Sequence, residues 1–255
     1  MLNATWMAAA AVAVFALAGL VKGVVGLGLP TVSMALLALF MPPAQAAALL
    51  LLPSLVSNLM QMRPTGMLRP LLARLGWMQL GIVLGTLGGM ACWGGVGSLP
   101  AARMALGLAL VAYALWGLWG PSLQMPLAHQ AWLGLVAGTV TGVITALTGV
   151  FVVPAVAFLQ SLGLARQALM QAMGLCFTVS TLALGAGMLL PGQASMSAGS
   201  GDLSRGLLLS ALMLVPALAG MRWGETLRDK LSPAVFKKIL MLSLLVLGIY
   251  MGFER

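Results

Sequence analysis

The sequence predicts an all-α membrane protein with about ten transmembrane or partly spanning helices, arranged as two inverted repeats of five segments each. Three observations lead to this fold class: few charged residues, apolar segments of membrane-spanning length, and a glycine- and proline-rich break that occurs once in each half of the chain. The breaks also indicate where a solute would bind.

The composition is that of a multi-pass membrane protein. Of the 255 residues, 61% are hydrophobic and 7% are charged, whereas a soluble domain carries roughly 25% charged residues. The formal net charge of +9 does not indicate a nucleic-acid partner here, because lysine and arginine kept on the cytoplasmic side of a membrane give the same excess. The lipid bilayer is therefore the expected surrounding.

Ten apolar segments are separated by polar and Pro/Gly clusters. A spanning helix needs about 20 apolar residues, and the two segments that follow the breaks are shorter than that. Each of these two is either a short crossing or a re-entrant half-helix, and the sequence leaves both alternatives open. The segments are 4–25, 28–41, 44–62, 75–95, 101–120, 130–147, 150–163, 167–190, 205–222 and 234–252.

The two halves of the chain are similar to each other. A shift of 123 residues places Gly26 on Gly149, and a shift of 133 places Pro100 on Pro233. The difference between the shifts is accommodated by the polar loop 191–202. The predicted units are a first membrane repeat over 1–120, a connecting loop over 121–130 and a second membrane repeat over 131–255.

Charge distinguishes two arrangements of these repeats. If the short segments cross the membrane, each repeat has five crossings and the halves are inverted; if they turn back, the halves are parallel. The inverted arrangement, with both termini outside, places ten of the 13 lysines and arginines inside, as the positive-inside rule favours. These ten are Lys22, Arg63, Arg69, Arg74, Arg166, Arg222, Arg228, Lys230, Lys237 and Lys238.

The two breaks mark the predicted binding site. They run over Val21–Pro30 and Thr145–Pro154, and broken helices in corresponding positions of two halves are typical of a transporter's substrate site. A helix that begins after a break directs its free N–H groups and positive end at the gap. Because the neighbouring polar side chains are mostly hydroxyls and amides, we expect a small anion to bind between the breaks.

The residues expected to bind the anion lie in or beside the breaks. Lys22 either attracts the anion or extends to the cytoplasmic interface. For the others, the alternative is hydrogen bonding or close packing between helices. The expected binding residues are Gly26, Gly28, Pro30, Thr31, Ser57, Asn58, Thr145, Thr148, Gly149, Gln171, Thr178 and Thr181.

The acidic residues restrict the function further. Asp202, Glu225, Asp229 and Glu254 are all expected in loops or at the C-terminus, whereas proton and cation carriers place a carboxylate at membrane depth. The sequence also has no paired acids, no Cys/His cluster and no catalytic serine motif that would suit its single histidine, His129. We therefore expect no enzyme activity, no metal and no cofactor.

These residues resemble the bacterial sulfite exporter family, TauE/SafE. The resemblance is carried by Val21–Pro30, Pro43–Ala48 and Pro53–Asn58 in the first half, and by Thr148–Pro154 and Gln171–Thr181 in the second. It implies a secondary carrier in the bacterial inner membrane that moves sulfite, sulfoacetate or another small, often sulfur-containing anion.

The expected mechanism is alternating access, in which one repeat moves against the other around the breaks. The expected partners are a small-anion substrate and the bilayer, and a homo-oligomer is left open. The alternatives are a carrier of another small solute and a non-transporting membrane scaffold or assembly protein. The absence of carboxylates from the apolar segments argues against a carrier of cations. The two matched breaks, with polar residues around them, argue against a scaffold.

Overall fold

The computed structural model describes residues 2–98, 102–120, 124–190, 203–228, 230 and 232–253. Across these ranges it has ten α-helices and no strand, which confirms the predicted all-α class. The helices are α1 (Leu2–Val25), α2 (Leu29–Leu37), α3 (Pro43–Gln61), α4 (Leu68–Trp93), α5 (Ala102–Trp119), α6 (Gln130–Thr148), α7 (Ala155–Ser161), α8 (Arg166–Met188), α9 (Leu203–Arg228) and α10 (Pro233–Phe253).

Eight of the helices in the described ranges are long and apolar enough to cross a membrane. The other two, α2 and α7, have nine and seven residues. At 1.5 Å per residue they measure about 14 and 10 Å, so neither helix spans a hydrocarbon core of about 30 Å by itself, and a crossing there would also need the non-helical backbone beside it. They lie in the segments predicted to be short, and the expectation of partly spanning helices is confirmed.

Glycines set the approach of α1 to α9. Gly19 packs against the backbone of Ala217, and Gly23 packs against Gly224. A Cβ atom at Gly19 would lie 2.0 Å from the carbonyl oxygen of Ala217, and one at Gly23 would lie 2.2 Å from that of Met221. Both distances are steric clashes, so only glycine permits this approach. Because residue numbers increase in the same direction along both helices, α1 and α9 run parallel.

The pair α4 and α6 has the same construction. Gly138 packs against the backbone of Met78, and Gly142 packs against that of Ile82. This pair is also parallel. If α1–α5 and α6–α10 are the two repeats, then α6 on α4 corresponds to α1 on α9.

Two further pairs run antiparallel. Gly107 of α5 packs against Gly248 of α10, whereas Gly117, further along α5, packs against the earlier residue Met241. The corresponding contacts of α3 with α8 are Ser54 with Thr181 and Gln61 with Met170.

These directions bear on the repeats. Because α3 is equivalent to α8 and α5 to α10 in the predicted scheme, antiparallel contacts between them are what inverted repeats produce. The inverted repeat stays a prediction that these contacts favour. Pro100 and the loop 191–202, which also entered that prediction, lie outside the described residues.

The short helix α2 is buried inside the bundle. Eight of its nine residues are buried, and it packs on α1 and α3. On the other side of the core, Phe151 and Phe177 pack with ring centroids 5.5 Å apart. The backbone that follows each break is therefore covered by protein, as non-helical backbone at membrane depth requires.

Gly85→Ala tests the glycine packing. The new methyl group meets the backbone of Thr139 on α6, and we expect a loss of about 1–3 kcal/mol from overpacking. Thermal unfolding of the purified protein in detergent measures it. Gly88→Ala on the same helix is the control, because no atom lies within 4 Å of the added Cβ. Equal melting temperatures for the two variants would contradict the assignment.

Candidate functional site

A cavity of about 630 Å³ opens at one end of the bundle, where the C-terminal ends of α1, α3 and α9 meet the start of α8. Cationic side chains dominate its charged lining, and such a cavity raises the local concentration of anions. The charged lining residues are Lys22, Arg63, Arg166, Arg228 and Glu225. Its other long side chains are Met60, Met170, Met221, Gln61, Gln167 and Gln171.

The first break forms one wall of this cavity. Helix α1 ends at Val25 because Gly26 and Gly28 have φ angles of 81° and 113°, a region that glycine enters without steric cost. Pro30 lies in the first turn of α2, where its missing N–H leaves no donor unpaired. The predicted break is confirmed, and Gly26 itself lines the cavity.

The second break has the same local form at a different place. Helix α6 ends at Thr148, Gly149 has a φ of 71°, and α7 begins after Pro154. Gly149 packs against Met34 of α2, and of the two breaks only the first contributes described residues to the cavity lining. The sequence suggested one site between the two breaks. In the structure, only the first break lies at this cavity.

Lys22 lies at the inner end of the cavity. Its side chain is 3% exposed, and Nζ donates to Ser57 Oγ at 3.0 Å and to Asn58 Oδ1. Ser57 Oγ donates to the carbonyl of Ser54 at 3.1 Å, and Asn58 Nδ2 donates to Ser54 Oγ at 3.2 Å. Because Ser57 and Asn58 use their N–H and O–H groups within α3, their oxygens are held as acceptors for Lys22.

The hydrogen bonds continue from this lysine into the second half. Ser54 Oγ and Thr181 Oγ1 lie 3.1 Å apart, and Thr181 Oγ1 also donates to the carbonyl of Phe177 at 2.7 Å. A row of polar side chains thus joins α1, α3 and α8 through the buried centre of the bundle.

The remaining predicted residues divide according to their contacts. Of those expected to bind the anion, Gly26, Ser57 and Gln171 line the cavity, and Asn58 lies behind Lys22. Gln171 Nε2 donates to the carbonyl of Pro64, while its Oε1 has no partner among the described groups.

Other predicted residues lie outside the cavity lining. Thr145, Thr148 and Thr178 donate their hydroxyls to carbonyls of their own helices at 2.7 Å. The hydroxyl of Thr31 is buried without a partner in the described part of the chain. Gly28 and Pro30 shape the start of α2 and contribute no side chain to the cavity.

Glu225 also lines the cavity, although it was not among the predicted site residues. It was expected in a loop, but α9 continues to Arg228 and brings Glu225 to the cavity wall. Met221, Glu225 and Arg228 are spaced by four and three residues and line the same cavity, and this spacing on one helix face was the available signal. The other three acids lie outside the described residues.

Arg228 fixes the end of α1. Its Nη2 donates to the carbonyl of Gly23 at 2.5 Å, and its Nε donates to that of Val24 at 3.1 Å. The last carbonyls of a helix lack partners within the helix, and a cation is favourable there. The guanidinium therefore holds α9 against the break while also lining the cavity.

Ser210 supports α3 one turn before the lysine's partners. Pro53 has no N–H, so the carbonyl of Leu49 loses its helical partner. Ser210 Oγ donates to that carbonyl at 2.9 Å and accepts from the N–H of Leu52 at 3.0 Å. Since the membrane core offers no water for the carbonyl of Leu49, the serine of α9 supplies the donor that Pro53 lacks.

The second half repeats this polar site without the charge. The shift of 123 residues that aligns Gly26 with Gly149 also places Lys22 on Thr145, Ser57 on Ser180 and Asn58 on Thr181. Ser180 Oγ is buried with no described partner.

The end of the bundle near the second break is filled by side chains. Met34 packs on Gly149, and Met90 of α4 packs on Gly187 of α8. Met34, Phe151 and Leu184 are fully buried there. The described cavity with Lys22 therefore opens at one end of the bundle, and the corresponding region around Gly149 is closed.

A family model described as Sulfite exporter TauE/SafE matches residues 11–251 of the chain. No curated protein and no solved structure matches the chain. The matched residues include both breaks and the whole described lining of the cavity.

Ser210→Ala tests the support of α3. Removing the hydroxyl leaves the carbonyl of Leu49 without a donor, because Pro53 supplies none, and we expect a loss of about 1–3 kcal/mol. Thermal unfolding in detergent measures it. Ser243→Ala is the matched control, because that exposed hydroxyl bonds only within its own helix, to Ile239. A Ser210 variant as stable as this control would refute the assignment.

Proposed function

Because the chain belongs to the TauE/SafE sulfite exporter family, we propose that it is a secondary transporter of a small anion, sulfite or an organosulfur anion such as sulfoacetate. Family and fold together make it a multi-pass membrane protein of the transporter class. Members of the family are transporters rather than enzymes. The anion, the bacterial inner membrane and alternating access are the parts we propose.

The observation that carries the proposal is Lys22, a buried lysine at the end of a cavity with further cations at its wall. An ionisable residue inside a membrane bundle marks a solute path by default. Arg63 and Arg166 are exposed near the mouth and attract an anion. Lys22 then binds it in a place from which most water is excluded, where hydrogen bonds to charge are strongest.

The lining accommodates an anion that also carries carbon. Amides of Gln61, Gln167 and Gln171 supply further polar groups, and the thioethers of Met60 and Met170 supply adaptable apolar surface. An organosulfur anion would place its charged end on Lys22 and its carbon part against these methionines. Sulfite occupies a small part of the cavity and leaves the remainder to water.

Two features support alternating access. The cavity is open at one end, whereas side chains fill the region around the second break. Helix directions favour inverted repeats, in which one bundle rocks against the other and exchanges the open and closed ends. Glycines with positive φ at both breaks provide the backbone freedom for that change.

The expected membrane orientation agrees with export. Lys22, Arg63, Arg166 and Arg228, which line the cavity, all belong to the set of cations that the positive-inside rule places on the cytoplasmic side. The open cavity then faces the cytoplasm, from which an exporter loads its substrate.

Counterflow in proteoliposomes tests the proposed function. Vesicles loaded with unlabelled sulfite, sulfoacetate or thiosulfate should take up the labelled anion, and uncharged analogues should not exchange. Lys22→Met should reduce exchange at least about tenfold, because a charged hydrogen bond contributes roughly 1.5–3 kcal/mol. Lys238→Met, which removes an exposed cation of α10 outside the described cavity lining, is the control and should exchange like the wild type.

Exchange of uncharged analogues alone would indicate another kind of carrier. Absence of exchange with every compound, in vesicles that contain folded protein, would favour a scaffold.

Gly26→Val and Gly149→Val test the breaks. Both positions have positive φ, where a β-branched residue costs about 1–3 kcal/mol, and each new side chain also meets a methionine, Met170 or Met34. We expect inserted protein without counterflow. Gly163→Val is the control, since Gly163 has a φ of 64° with no atom within 4 Å of an added Cβ. Unchanged sulfite efflux from vesicles with the double break variant would contradict the proposal.

A further inference from the structure

We propose that Lys22 carries a proton together with the anion. Its amine is unprotonated while the site is empty, takes up one proton when the anion binds and returns it to water when the anion leaves. One proton then crosses the membrane with each anion. The inference rests on the proposed anion transport through the same cavity and adds the coupling ion to it.

The hydrogen bonds of Lys22 carry this inference. A neutral amine has two N–H donors and an ammonium has three. Nζ has two acceptors, Ser57 Oγ and Asn58 Oδ1, both held as acceptors by their own donations to Ser54. Within the described residues no third protein acceptor lies within hydrogen-bond distance of Nζ. The empty site therefore matches the neutral amine, and the third N–H of the ammonium suits an anion in the cavity.

The charges around Lys22 act in the same direction. Those that face it across the cavity are Arg63 and Arg166 near the mouth, and Glu225 and Arg228 on α9; its partners on α3 are neutral. Arginine keeps its charge in proteins, so the lining carries three fixed cations besides Lys22. One of them, Arg228, bonds the carbonyls of Gly23 and Val24, which follow Lys22 in the chain.

Glu225 does not compensate for these cations. Its side chain is exposed at the cavity wall and is therefore solvated, whereas Lys22 is 3% exposed. A buried charge without a partner costs several kcal/mol in a membrane protein. The arriving anion supplies the partner that the protein lacks, and this is why the proton and the anion bind together.

The protonation step involves no oxidation or reduction. The lone pair of Nζ takes a proton from a hydronium ion in the cavity, which leaves water and an ammonium paired with the anion. On the other side of the membrane the anion leaves, the N–H bond breaks and water accepts the proton. Transport of a monovalent anion is then electroneutral, and a divalent anion carries one net negative charge.

Proton uptake on binding is the first test, with sulfoacetate as the probe because both of its acidic groups stay ionised near neutral pH. The full chain in detergent and weak buffer is titrated with sulfoacetate while a pH indicator counts protons. We expect one proton per bound anion for the wild type and for the control Lys238→Arg. For Lys22→Arg we expect none, because the guanidinium is already charged.

The second test uses vesicles with the membrane potential clamped at zero. With one proton per anion, a difference of one pH unit drives about tenfold accumulation of sulfoacetate on the alkaline side. This measurement needs the wild type alone. It therefore remains decisive for coupling even if the Lys22 variants do not fold.

The outcomes distinguish a failure of proton coupling at Lys22 from a failure of the proposed anion transport. Wild-type binding without proton uptake, or proton uptake that persists in Lys22→Arg, overturns the inference and leaves anion transport standing. Loss of proton uptake in Glu225→Gln assigns the proton to that carboxylate and also overturns it. If the wild type neither binds nor exchanges any anion, the proposed function fails and the inference fails with it.

Discussion

In a bilayer the polar groups of the backbone must find their partners inside the protein, because the hydrocarbon core offers no water. This constraint explains most of the polar contacts around the cavity. Ser210 bonds the two α3 backbone groups beside Pro53, and Arg228 satisfies the last carbonyls of α1. Both residues belong to α9, so one helix of the second half provides hydrogen-bond partners for backbone groups of two helices of the first half. Lys22 has the same need and meets it only with neutral partners.

Close helix packing and the cavity are two results of the same glycine distribution. Gly19 and Gly23 bring α1 against α9, whereas Gly26, three residues later, ends the helix and opens the wall. The chain therefore changes from tight contact to open space within two turns. The wall of the cavity at the first break is therefore carried directly by a tightly packed helix pair, whose last carbonyls Arg228 also binds.

Sequence reasoning predicted what depends on local chemistry. The breaks, the short helices beside them and the apolar segments follow from glycine, proline and hydropathy alone. The direction of the Lys22 side chain does not, because its acceptors are 35 and 36 residues away and only packing brings them close. Thr145 and Thr148 could bind a ligand or their own helix, and both bond to their own helix. Glu225 could not be predicted as a cavity residue from hydropathy, because the cation-rich stretch around it resembles a loop although the helix continues to Arg228.

The position of Lys22 along α1 has an electrical consequence. Val25 ends the helix three residues later, about 5 Å away at 1.5 Å per residue, while about 26 Å of the helix lies on the other side, toward Thr5. The corresponding position of the second half, Thr145, carries no charge. Under the proposed function, an anion bound at Lys22 has thus crossed only a small part of the membrane's thickness. In the proposed cycle most of the voltage drop lies ahead of that anion, so membrane voltage acts on the later step whenever the anion and its proton together carry net charge, as a divalent anion does.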